Sequence, residues 1–312
     1  MRTVPWLDIL ISLRKNRKDR VAFVAARADP AYYGALVQVL MLRLAFTSDL
    51  HFDTTGSLTT PEEIRRVAGE VAASHAAALI VAGDIGHPLH NFRHCLDALA
   101  GRAPHVGIVV GNHDVWHDEH RTSAQLWQTT LPAETRERGM YWLEQDPIVV
   151  DRVAIVGSMA WYDYSAAEPS IGRDQAYYAA IKPQVSNDAH WLDWEWSDVE
   201  ISRKLREQLV ALLERLEADR NVDRVVVATH VPVFEQQIRR DPTNLAWSIA
   251  NAYFGNLTMG EAIARFPKVR AVVSGHLHMS IHAVVPRARM TDIQACVVGS
   301  DYGTPTWLLL DM

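Results

Sequence analysis

Five short apolar runs in this chain each lead into a polar cluster, and that repeated placement constrains the fold more than any other feature. The runs cover residues 42–47, 78–82, 106–110, 225–228 and 269–273. The clusters are Asp49-Leu50-His51, Gly83-Asp84, Gly111-Asn112-His113-Asp114, His230 and Gly275-His276-Leu277-His278. Short apolar runs bounded by turn formers suit strands buried on both faces, as parallel sheets require. Helical patterns lie between them. Thr60-Pro61-Glu62-Glu63 reads as a capping box with proline at the first helical position, predicting a helix to about residue 77. Residues 88–100 and 123–131 predict further helices, and Ile201, Leu205, Leu209, Leu212 and Leu216 mark one face of a long one. Strands are also expected at 148–150, 153–156, 281–285, 293–298 and 306–310. Strand–helix alternation followed by terminal strands indicates an α/β layered sheet structure. Ligands of open α/β sheets bind at the carboxyl ends of strands, so the five clusters should converge on one rim.

The rim's chemistry follows from its residue types. The chain holds 14 histidines against 7 phenylalanines, and histidine is both a metal ligand and a proton carrier. Asp, His and Asn together suit Mn, Fe or Zn better than thiolate-seeking metals. Asp49 and His51 lie two apart, so an extended segment can point both the same way, and His276 and His278 repeat that arrangement. The glycines at 83, 111 and 275 let the backbone turn sharply beside such a site.

Composition narrows the class. A 312-residue chain that is 48% hydrophobic can build a core, which rules out wholesale disorder. With 31 basic and 37 acidic side chains, the net charge of −6 argues against coating nucleic acid or anionic membrane through bulk charge, though a local basic groove stays open. Two cysteines, Cys95 and Cys296, provide neither a disulfide framework nor a Cys-rich zinc site and fit a reducing compartment. No apolar run is long enough to span a bilayer, and residues 6–13 lack a secretory cleavage pattern, so a cytoplasmic location is expected. Residues 1–40 carry a basic cluster and no chemistry motif. They read either as a mis-assigned start, with translation from Met41, or as a helical appendage. The functional domain is expected at 41–312.

Taken in order, Asp-x-His, Gly-Asp, Gly-Asn-His-Asp, a lone His and Gly-His-x-His resemble the motifs of the calcineurin-like metallophosphoesterase superfamily, spanning residues 49–278. The resemblance implies a four-layer α/β/β/α sandwich of two mixed β-sheets flanked by helices. It implies two divalent metal ions, one held by Asp49, His51 and His278 and the other by Asn112, His230 and His276, with Asp84 bridging. It also implies that His113 is catalytic rather than a ligand. Such a site hydrolyses a phosphate mono- or diester through attack of a metal-bound hydroxide, with a histidine acting as general acid. The lone histidine departs from the usual Gly-His or His-His context, standing here in Thr229-His230-Val231-Pro232.

His87, three residues beyond Asp84, matches the histidine found there in the superfamily's double-strand-break-repair nucleases. It reads as a phosphate contact, as an orienter of His113, or as a surface loop residue. It supports a nuclease-like alternative, with nucleic acid as partner in place of a small phosphate ester. A non-catalytic scaffold of the same fold is a third reading. Asp114 reads as an orienter of His113 or as a helix cap, and the His117–His120 segment as a solvated charged turn. Residues 161–196 form an aromatic insert holding Trp161, Trp191, Trp194 and Trp196. Trp161 is the candidate substrate contact there, against a packing role for the insert as a whole. Substrate identity, metal identity and oligomeric state stay open.

Overall fold

The computed structural model describes residues 41–53 and 59–312, so the expectations for residues 1–40 lie outside the described residues. The apolar runs become strands. In one sheet, β1 (Arg43–Thr47), β2 (Ala78–Ala82), β3 (His105–Val109) and the two-residue β4 (Tyr141–Trp142) run parallel. The second sheet comprises β5 (Ile148–Val150), β6 (Val153–Ser158), β7 (Arg224–Thr229), β8 (Val269–Ser274), β9 (Ile281–Val285) and β10 (Ile293–Val297), in the order β5-β6-β7-β8-β10-β9. Its interior neighbours are parallel and its two edge strands antiparallel. The last strand, β11 (Trp307–Asp311), returns to the first sheet and pairs antiparallel with β1, giving the order β11-β1-β2-β3-β4. β4 escapes a sequence reading because two residues show no alternation.

The sheets face each other across a close contact set by glycine. A Cβ on Gly157 of β6 would lie 2.3 Å from Val109 Cγ2 of β3. At the rim, His230 Nδ1 donates to the Ala82 carbonyl at 2.9 Å and ties β7 to β2.

Helices flank the two sheets. α1 (Pro61–Ala73) starts on Thr60, whose hydroxyl accepts from Glu63 N. The Glu63 carboxylate pairs with Arg66 instead of closing the other half of the expected box. The helix stops four residues short of the expected end. Ser74 Oγ donates back to the Val71 carbonyl, and His75 takes a positive φ that the helix cannot continue. α2 (Leu89–Leu99) buries Leu89, Phe92, Cys95, Leu96 and Leu99. The helix expected at 123–131 is longer and irregular: a turn at Ser123–Gln125 runs through a π-helical segment, Leu126–Thr130, into α3 (Leu131–Glu137).

The aromatic insert contributes α4 (Gln175–Val185) and α5 (Asp188–Trp191). Trp161, Tyr162 and Tyr178 are buried, and the hydroxyls of Tyr162 and Tyr164 donate to Asp188 and Asp198. Packing therefore accounts for most of the insert's aromatic residues. The long α6 (Asp198–Ala218) opens with a complete capping box between Ser197 and Glu200. It buries Ile201, Leu205, Leu209, Leu212, Leu213 and Leu216. At about 1.5–3 kcal/mol per aliphatic side chain, that face contributes at most about 9–18 kcal/mol. α7 (Leu245–Ala250) and α8 (Leu257–Ile263) complete the set. Among the described residues no helix is long and apolar enough to cross a membrane.

Candidate metal centre

The five polar clusters meet at one rim, each just past the carboxyl end of its strand. Residues 49–52 run on beyond β1 and pair with the chain beyond β2: Asp49 N donates to Gly83 O and His51 N to Asp84 O, both at 2.9 Å. Asp49, His51, Asp84, His276 and His278 all have positive φ, between 43° and 71°. Such conformations cost non-glycine residues free energy and persist only where surrounding structure fixes them. The flanking glycines act mainly through space. A Cβ on Gly111 would lie 2.1 Å from Asp84 Oδ1, and one on Gly275 1.8 Å from Ser48 Oγ. Of the three, only Gly83 has positive φ, at 92°.

Two groups of ligand-type atoms form there, Asp49–His51–His278 and Asp84–His230–His276, with a third, His51–Asp84–His113, overlapping both. They are the only such groups found among the described residues. One carboxylate atom links them: Asp84 Oδ2 lies 3.5 Å from His51 Nε2 and 3.4 Å from His230 Nε2. Asn112 joins the second group, with Oδ1 3.0 Å from His230 Nε2.

The atoms of this second group crowd together. His230 spends its Nδ1 proton on Ala82 O, and His276 places Nε2 3.1 Å from Tyr253 O, a position that calls for its proton there. That leaves His230 Nε2 and His276 Nδ1 only 3.2 Å apart, a pair that needs one shared proton or a cation between them. The Asn112 amide nitrogen donates to Asp188 Oδ1 at 2.9 Å, so its oxygen must face inward. Two ring nitrogens, an amide oxygen and a carboxylate oxygen thus converge with no donor to share but a proton on one of the rings. A proton or a cation must reconcile them, and the oxygen-and-imidazole set suits a borderline divalent metal. Carbonyl partners on the far ring nitrogens are the usual supports of ligating histidines.

Without a metal the proton falls to His230. Burial pushes His230 toward the neutral form, but Asp84 outweighs it and raises the pKa to about 9. Burial together with neighbouring His230 lowers His276 to about 4. Asp84 is held well below the usual carboxylate range, since His230, His113 and His51 outweigh its burial.

His113 stands beside this group. Its backbone N–H donates to Asp84 Oδ1 at 3.0 Å, and its Nδ1 lies 3.3 Å from Asp53 Oδ2. Burial disfavours the charged ring, but Asp84 and Asp53 overcome it and lift the pKa to about 9. Burial likewise acts to raise Asp53, yet hydrogen bonds from His113 and His51 take it down to about 2. Asp53 is absent from the sequence expectation, although it continues the two-residue spacing of Asp49-x-His51. Asp188 is also absent from it. This buried carboxylate accepts from Asn112 Nδ2, Trp116 Nε1 and the Tyr162 hydroxyl, and no local pattern marks it. Tyr302, in the loop before β11, stacks on His278 at 4.6 Å and lies tilted over His51 at the same distance.

Three expectations change. Trp161 is no substrate contact: it is 0% exposed, and its Nε1 donates to Asp198 Oδ1 at 2.7 Å inside the insert's core. Asp114 neither orients His113 nor caps a helix. Its carboxylate accepts from Ile85 N, Gly86 N and Gly111 N and clamps the Asp84 loop to the Asn112 loop. Burial, with Asp84 nearby, raises its pKa to about 7. His87 lines a cleft of about 890 Å³ next to His113, but the group hydrogen-bonded to His113 is Asp53. The His117–His120 segment lines the same cleft.

Two facing mixed sheets with an Asp/His/Asn cluster at their strand ends define a dinuclear hydrolytic metalloprotein. Residues 42–280 match the family model for calcineurin-like phosphoesterases, and the chain belongs to that family. It is accordingly a metal-dependent phosphoester hydrolase that works with two divalent metal ions. Among solved structures, a phosphopantetheinyl hydrolase from Mycobacterium tuberculosis is similar in fold, with a TM-score of 0.62 and 24% identity over 85% of this chain and 95% of the other. A dimetal phosphatase from Danio rerio aligns with a TM-score of 0.47 and 15% identity over 81% and 86% of the two chains. A purple acid phosphatase from yellow lupin aligns at 0.46 and 12% over 85% and 44%. No curated protein sequence matches the chain.

Proposed function

We propose that the protein is a phosphodiesterase in which Asp49, His51 and His278 hold one divalent metal, Asn112, His230 and His276 hold the other, and Asp84 spans both. The observation that carries this reading is the convergence of two imidazole nitrogens, an amide oxygen and a shared carboxylate oxygen, beside a histidine that is itself hydrogen-bonded to a carboxylate. When bound, the two cations supply charge to the phosphoryl oxygens and lower the pKa of a water for attack.

The chain's own groups do the rest. Asp188 fixes the Asn112 amide so that its oxygen faces the site. Asp53 holds His113 through Nδ1, which leaves Nε2 to hand a proton to the departing ester oxygen. Asp114 keeps the loops that carry Asp84 and His113 in register.

A diester fits better than a monoester. The two guanidinium groups lining the cleft are already paired, Arg93 with Glu134 and Arg121 with Asp118, so the wall offers little to neutralise a second phosphate charge. The cleft also has room for a second ester arm.

The test loads the protein with manganese and compares bis(p-nitrophenyl) phosphate, p-nitrophenyl phosphate, a phosphopantetheinyl diester and linear DNA. The synthetic diester should turn over fastest relative to its monoester. Asp84→Ala should abolish hydrolysis and lower bound metal. Full metal-dependent activity in that variant sinks the proposal, while preferential DNA cleavage would favour the nuclease reading that His87 suggests. A cytoplasmic location belongs to the same proposal and is checked by fractionating cells that express the chain.

A further inference from the structure

We propose that Trp191 is a stacking platform for a planar ring of the substrate, so that this site acts on phosphodiesters carrying a nucleobase or an equivalent flat heterocycle. The inference rests on the phosphodiesterase reading above and adds the substrate class.

Trp191 closes α5 in the aromatic insert and lines the cleft beside His113. Its indole stacks on Trp116 with centroids 5.7 Å apart and planes at 16°. Trp116 in turn stacks on His113 at 3.8 Å and 26°. Trp116 cannot swing away, because its Nε1 donates at 2.8 Å to Asp188 Oδ1, the same atom that receives the Asn112 amide. The platform is therefore in fixed register with the candidate metal centre. His87 meets Trp191 edge-on at 6.1 Å, and His117 N donates to the Trp191 carbonyl at 2.9 Å.

With these neighbours in place, Trp191 is still 41% exposed. Trp161 in the same insert is fully covered, and Trp194 and Trp196 are partly buried against the core. A tryptophan serving only as packing is normally more covered than Trp191 is. Beyond His113 the wall presents aromatic faces and imidazole edges, while its arginines are paired with carboxylates. A flat ring of low charge suits that surface, and a second phosphate does not. Stacking on an aromatic face needs no particular base, since every base has a π-face.

The experiment measures binding by calorimetry to the manganese-loaded full chain, with adenosine 5′-monophosphate and ribose 5-phosphate as probes. They share sugar and phosphate and differ only in the base. In the wild type the base-bearing probe should bind at least about tenfold more tightly. Trp191→Ala and Trp191→Leu should bring that ratio close to one, and Trp191→Phe should restore most of it. Leucine keeps an apolar contact on Trp116, so agreement between the two variants separates loss of the flat face from loss of packing. Equal binding of the two probes in the wild type, or an undiminished ratio in both variants, overturns this inference and leaves the phosphodiesterase reading standing. Failure of both probes to bind also overturns this inference, and the diester assay above then decides the phosphodiesterase reading separately.

Discussion

Asp53 places one carboxylate oxygen 3.3 Å from both His51 Nδ1 and His113 Nδ1, and its other oxygen accepts from His87 N. It thereby sets the ring orientation of a candidate ligand and of the candidate general acid together. Asp53→Asn keeps the shape but can satisfy the two rings only in part. Turnover should fall roughly 10- to 100-fold while most bound metal is retained, as is typical when a support of this kind is lost. Steady-state kinetics alongside metal analysis checks this, and complete loss of metal would make Asp53 a scaffold of the centre instead. Gly111 is a second residue-scale control. A methyl group there meets Asp84 Oδ1 at 2.1 Å and the Asp84 backbone nitrogen at 2.5 Å, neither of which can retreat without moving the centre. Gly111→Ala should cost about 1–3 kcal/mol, read from urea unfolding, and should lower metal content. Trp161 and Trp191 make the same point about residues. They share one insert and one chemistry, and only the packing around each decides which faces the cleft.

At the scale of elements, the rim is built from strand ends that overrun their sheets. β1, β2, β3, β7 and β8 stop where the polar clusters begin, and the connections between residues 49–52 and 83–85 continue the pairing for a few residues more. The apolar runs and their terminal polar clusters were readable directly, since burial on both faces demands the one and the strand ends collect the other. Element ends were less readable, because side chains such as Ser74 and Glu63 choose among partners that only the folded chain presents. The long helix α6 is supported by its capping box. Ser197→Ala should destabilise the protein by about 1 kcal/mol through loss of the cap to Glu200 N. Activity per folded molecule should hold steady, and a denaturant titration with matched assays separates the two quantities.

For the whole molecule, the candidate centre joins distant stretches of chain, from Asp49 to His278, across two sheets. Metal binding should therefore stabilise the fold as a unit. At a hundredfold excess over Kd, one bound ion adds about 2.7 kcal/mol, which for a chain of this size is roughly 4–5 °C in Tm. Chelation should lower Tm by that order in a thermal scan, and re-addition of manganese should restore it. Asp84→Ala should show little of this response. A chelator-insensitive Tm in the wild type would count against metals bridging the two sheets.

The sequence by itself determined the layered α/β class, the strands that end at the rim, and the Asp, His and Asn residues gathered there. Those are consequences of local pattern: apolar runs bury, and polar clusters at their ends collect where strands stop. Only the tertiary structure decided the supporting groups. Asp53, Asp188, Asp114 and Tyr302 act through side-chain contacts with residues brought near by folding, and nothing in their neighbours along the chain marks most of those contacts. It also decided which tryptophan of the insert is left uncovered beside the candidate metal centre, because exposure belongs to the packed whole and not to the residue.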